Sequence, residues 1–100
     1  MALQLHDPEE VRLLLSGRVR QLRLFAGWKQ STLALRAGVS LPTLRRFERT
    51  GKTSLENFLR ICHALGHLDV VADCLKPPPA RSLAELEQQS PASARQRGRR

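Results

Sequence analysis

Tyrosine is absent from this chain, and its aromatic residues amount to three Phe and one Trp in 100 residues. So few rings leave no stacking platforms of the kind that hold splayed RNA bases. Cysteine is nearly as scarce: Cys62 and Cys74 sit in apolar segments without the paired spacing of a metal motif, and no further Cys or spaced His completes a site. Both read as reduced core thiols, and no metal or cofactor is implied. No apolar run approaches the roughly 20 residues needed to span a bilayer, and no basic stretch leads into an apolar one at the N-terminus, so no membrane partner is expected. Paired acid/base groups and nucleophile arrangements are also missing, and the length suits one modest core rather than a second domain with a long cleft. An enzyme is not expected.

What the sequence has in excess is positive charge, a formal +8 at neutral pH. Such a surplus favours a polyanionic partner, because neutralising phosphates releases condensed counterions. Its distribution matters more than its sum. Eleven Lys and Arg stand against seven Asp and Glu through residue 75, and six against two in the last quarter. With nucleic acid as first partner, the expected location is cytoplasmic and nucleoid-associated.

The expected elements are mostly helical. Asp7 before Pro8, with Glu9 and Glu10 behind them, is a helix-start signal, and a first helix runs from about Pro8 to Ala26. Val11, Leu15, Val19, Leu22 and Ala26 give it one apolar stripe, widened by Leu14 and Leu24. Gly17 loosens or divides it, and Gly27 ends it. Gln30 to Ala37 forms a short second helix, with Trp28 packed between the first two, and Gly38 supplies a tight turn. Ser40 caps a third helix with Pro42 early and with Leu44 and Phe47 inward. After a loop at Thr50, Gly51 and Lys52, Thr53 and Glu56 have capping-box spacing. They open a fourth helix that buries Leu55, Phe58, Leu59, Ile61, Cys62 and Leu65 before Gly66. His63 and His67 lie four apart but lack a third ligand, and read as structural or surface histidines. Leu68 to Leu75 is a short β-prone run, too small to be stable alone. From Lys76, three prolines lead into a Ser, Gln, Ala and Arg-rich stretch with too little apolar content to order itself, save for a possible brief helix over 82–89. The expected organisation is therefore a domain over 1–75 and a disordered basic tail over 76–100.

Trp28 to Glu48, WKQSTLALRAGVSLPTLRRFE, carries the chemistry: a short helix, a glycine turn, and a second short helix with outward arginines. Two helices locked at a fixed angle, the second free to meet base edges, make a helix-turn-helix unit. On that helix the exposed positions are Ser40, Leu41, Thr43, Arg45 and Arg46, the candidates for base contact, since an Arg fork fits guanine O6 and N7 together. A merely solvated charged face is the bland alternative. Gln30, Ser31, Arg49 and Lys52 suit phosphates at the groove edges.

Gln30, Leu33-Ala34, Ala37-Gly38-Val39, Ser40, Leu44, Phe47-Glu48 and Ser54-Leu55 together resemble the XRE (lambda-repressor-like) helix-turn-helix family over about residues 15–66. The resemblance implies a bundle of four to five short helices. It implies that Arg23 and Glu48 form a buried ion pair and that Arg46 reaches bases, with Arg45 reading a base or holding a phosphate. Leu41 and Pro42 depart from the polar residues many relatives carry there, which leaves fewer direct hydrogen bonds and offers Leu41 to a thymine methyl.

Four helices followed by one strand resemble the HipB-type antitoxin branch. That resemblance implies a homodimer in which residues Val70, Val71, Ala72, Asp73, Cys74 and Leu75 pair across a two-fold axis. It further implies repression of the chain's own double-stranded operator DNA and binding of a HipA-like serine/threonine kinase toxin. Pairing also has an independent reason, since an unpaired apolar strand is an aggregation liability. The competing functions are a stand-alone XRE regulator, an antitoxin acting mainly by protein binding, and a nonspecific nucleoid or RNA-binding protein.

Overall fold

In the computed structural model, residues 7–79 are described, and they form five helices. Helix α1 (Pro8–Phe25) starts where local chemistry favours it: the Asp7 carboxylate accepts from the Glu10 N–H at 2.8 Å, Pro8 needs no partner for an N–H it lacks, and Glu9 and Glu10 meet the positive end of the helix. The helix is continuous through Gly17, which does not divide it. Only Val19 of its apolar stripe is fully buried; Leu14 and Leu24 are exposed rather than widening the buried face, because the bundle covers α1 from one side only.

Helices α2 (Gln30–Ala37) and α3 (Leu41–Thr50) are joined by Gly38 in the left-handed conformation at φ +73°. There the Val39 N–H turns back to the Ala34 carbonyl, closing the end of α2. Ser40 caps α3, its hydroxyl accepting from the Thr43 N–H at 3.1 Å. Helix α4 (Leu55–Ala64) begins one residue later than the capping-box spacing implied. Ser54, not Thr53, accepts from a backbone N–H of the first turn, that of Asn57. With two adjacent hydroxyl residues, the one whose backbone is extended at the helix mouth takes the cap, and Thr53 turns inward instead.

Leu33, Leu44 and Ile61 sit at the centre with no exposed surface, joined by Val19, Ala34, Ala37 and Phe47. Trp28, Val39, Leu41, Phe58 and Leu65 close over them. Phe47 and Phe58 meet in a tilted pair 5.7 Å apart. Helix α1 packs on α3, and α2 packs on both α3 and α4, so α3 is braced from two sides. Leu55 is 70 % exposed rather than buried, since it stands in the first turn of α4, beyond the reach of the core.

Among the described residues there is no strand, and in the single chain the β-prone run Leu68 to Leu75 is a short helix and a turn instead. Val70, Val71 and Ala72 belong to a short helix, α5 (Leu68–Ala72), and Asp73, Cys74 and Leu75 follow in a turn, with Leu75 in the left-handed region at φ +64°. The physical reason is local satisfaction of the backbone. A single strand has no ladder partner, whereas a helical turn bonds Val71 N–H to the His67 carbonyl and Asp73 N–H to that of Asp69 within the segment. Cys74 is exposed, not a core thiol; Cys62 is buried, and that burial raises its thiol pKa. No helix among the described residues is long and apolar enough to cross a membrane. The 82–89 helix and most of the basic tail lie outside the described residues.

Candidate nucleic-acid interface

The surface around α3 is built on an ion pair beneath it. Arg23, in the last turn of α1, donates from Nε to Glu48 Oε2 at 2.7 Å and from Nη2 to Oε1 at 2.9 Å, a two-pronged contact with both side chains more than nine-tenths buried. Its remaining Nη1 donates to the Trp28 carbonyl at 2.9 Å, which closes the turn between α1 and α2. Gln30 Nε2 donates to the same Glu48 Oε1 at 3.0 Å. One carboxylate thus accepts from α1 and α2 while standing on α3. Gln30, half-buried at the start of α2, thus joins the scaffold through its amide. Trp28 carries the Arg36 guanidinium over its ring at 4.5 Å.

With Glu48 turned inward and neutralised, the outward side of α3 is left with cations alone. Arg45, Arg46 and Arg49 stand on that side, and Ser40 is exposed at the helix mouth, its Oγ 2.7 Å from Thr43 Oγ1. Thr43 and Leu41 are half-buried, Leu41 packing against the core from the first turn. At the last residue of α3 the Thr50 hydroxyl donates to the Arg46 carbonyl and accepts from the Lys52 N–H, and Gly51 turns the chain at φ +76°. A side chain on Gly51 would meet the Arg12 backbone, its Cβ 2.6 Å from that carbonyl oxygen, so α1 lies hard against this turn. Lys52 is thereby held exposed beside Arg46 along a cleft of about 530 Å³ between α3 and the start of α4. Ser31 is exposed on the first turn of α2, whose N-terminus has no side-chain cap.

Two contributors went unseen in the sequence. Asn57 lines the cleft, a position readable only once the cap of α4 is set at Ser54. Arg12 bonds the Thr50 carbonyl across 38 residues, and no local signal announces it. Among the described residues no group of His, Cys, Asp or Glu is placed to hold a metal, and the His67 ring lies against the Leu65 carbonyl at the end of α4.

A short helix, a left-handed glycine, and a second helix with a cationic outer face on a rigid three-helix support define a DNA-binding helix-turn-helix protein. Comparison with known families bears directly on this: the Helix-turn-helix family HTH_3 matches residues 19–71, from the middle of α1 into α5. The chain belongs to this family, the XRE-type helix-turn-helix proteins. No curated protein and no solved structure gives a significant match.

Proposed function

We propose that the chain is a sequence-specific transcriptional repressor that places α3 in the major groove of a double-stranded operator. The observation carrying this reading is the inward rotation of Glu48 onto Arg23 and Gln30, which rigidifies α3 and leaves Arg45, Arg46 and Arg49 unopposed on its outer side. In this reading Arg46 and Arg45 meet base edges with Ser40, Leu41 and Thr43, while Ser31, Arg49 and Lys52 hold phosphates. Gln30, whose amide also supports Glu48, stands with them at the phosphate edge. The chain is not an enzyme in this reading.

Two-fold operators call for two copies, with recognition helices one helical turn of DNA apart. Homodimerisation through residues 68–75 belongs to the same reading. In one chain these residues are α5 and a turn with Val70 and Leu75 outward, and a paired strand forms only when two chains supply each other's missing backbone partners. The resemblance of residues 27–75 to HipB-type proteins supports a role as antitoxin to a HipA-like kinase. The helical α5 favours the alternative of a stand-alone XRE regulator.

The test is selection of preferred sites from random duplexes, followed by affinities on the selected and a scrambled duplex. Arg46→Ala is expected to lose about 1–3 kcal/mol on the selected site alone, and Lys52→Ala to weaken both duplexes alike. Equal losses for Arg46→Ala would remove it from the base-reading set, and no preferred site at all would overturn sequence-specific binding.

A further inference from the structure

Helix α1 carries a second apolar face, turned away from the bundle. With roughly 3.6 residues per turn, Leu13 and Leu24 fall nearly in line, as do Leu14 and Phe25, on the side away from the buried Ser16, Val19 and Arg23. The two apolar ends of this face lie three helical turns, or about 16 Å, apart. All four side chains are exposed, Phe25 to 92 %. Single leucines scattered over a surface are ordinary, whereas several aligned on one helix face mark an interaction site. Between the two ends Gly17 leaves a hollow, with nothing within 4 Å of where a Cβ would stand. Arg18 and Arg20 are exposed on the two rims, one on each side, and form no ion pair with any described residue.

We propose that this face docks an amphipathic helix of another protein, leucine-rich along its line of contact and acidic on both flanks. Its apolar side chains cover the Leu13-Leu14 and Leu24-Phe25 ends, one large side chain enters the hollow at Gly17, and its flanking carboxylates meet Arg18 and Arg20. Other occupants fail on charge or on chemistry. A second copy of α1, set with the apolar ends together, brings arginine against arginine on both rims. The chain's own residues 76–100 carry six Lys and Arg against two Asp and Glu, and so are repelled by the same rims. Duplex DNA satisfies the arginines but leaves four apolar side chains facing phosphate. Because α3 packs on the other side of α1, a helix docked here leaves the recognition helix free.

The inference is independent of what α3 reads, and its test uses the full chain. The probe is a synthetic helical peptide of about 18 residues, with leucines at every third and fourth position and glutamates on both flanks, compared with a version carrying lysines in their place. The glutamate peptide is expected to shift the Leu13, Leu14 and Leu24 methyl signals and the Phe25 ring signals, and to bind about tenfold more tightly than the lysine peptide. Arg18→Glu/Arg20→Glu is expected to reverse that preference, and Leu14→Ser/Phe25→Ser to abolish binding of both. Equal affinity of the two peptides for the parent chain overturns the proposal. So do shifts centred on Arg45, Arg46 and Arg49, which would make the peptide a mere anion on α3. Self-association of the chain alone that Leu14→Ser/Phe25→Ser abolishes also overturns it, by assigning the face to a second copy. The substituted side chains are all exposed, and the amide spectrum of each variant reports an intact fold in the same experiment.

Discussion

At the scale of single residues, Arg23 does the most joining. Its guanidinium donors are divided between a carboxylate on α3 and a carbonyl in the turn before α2, so one side chain sets the relation of three helices. The planar fork matters, since an ammonium cannot satisfy two carboxylate oxygens and a carbonyl from one fixed geometry. Arg23→Ala leaves the Glu48 carboxylate buried with only the Gln30 amide beside it, and is expected to lower stability by about 3–5 kcal/mol in denaturant titration. Arg23→Lys is expected to fall between the parent chain and Arg23→Ala. A much smaller loss for Arg23→Ala, within the range of about 0–1 kcal/mol typical of surface pairs, would show that Glu48 reaches water. This pairing was in reach of the sequence only through the family pattern, because no local signal links two positions so far apart in the chain. Gln30 was legible only in part: its place at the start of α2 suits a phosphate contact, and only the folded arrangement shows its amide on Glu48.

At the scale of elements, the helices most legible in the sequence are those with their stop and start signals adjacent. Gly38 and Ser40 bound α2 and α3 to the residue, because a left-handed turn and a hydroxyl cap each leave a local mark. Where two residues compete for one role the boundary slips, as at Thr53 and Ser54. The run after Gly66 is harder still: β-branched Val70 and Val71 favour a strand, but propensity is weak against the need to satisfy the backbone, and α5 forms. Helix α1 offers the cleanest measurement at this scale. Gly17 lies in its interior with nothing within 4 Å of where a Cβ would stand, so Gly17→Ala adds no collision and removes the conformational freedom of glycine in the unfolded chain. The expected gain of about 1 kcal/mol should appear as a rise in Tm of roughly 4–8 °C for a domain of this size. A fall in Tm would mean that something packs against this face of α1 in solution.

At the scale of the whole molecule, positive charge is divided between a surface and a tail. The α3 face carries its cations on a backbone anchored by the Arg23–Glu48 pair below and the Thr50 turn at its end. An anchored helix is what sequence reading requires, since a bidentate contact discriminates only if the helix offers its fork to one base position. Arg95, Arg97, Arg99 and Arg100 are clustered near the end of the chain and beyond the described residues, with the prolines 77–79 between them and the domain. Counterion release depends on how many phosphates are neutralised and not on the geometry of the cations. The two populations of charge therefore separate in one experiment. Deleting residues 91–100 is expected to flatten the dependence of log affinity on log salt by about 0.9 for each phosphate that the tail neutralises, while the order of preference among duplexes stays the same. Arg46→Ala is expected to do the reverse, changing that order with at most a small effect on slope. An unchanged slope after the deletion would take the tail off the DNA and leave all phosphate neutralisation to the domain, and a changed order of preference would show that the tail itself enters a groove.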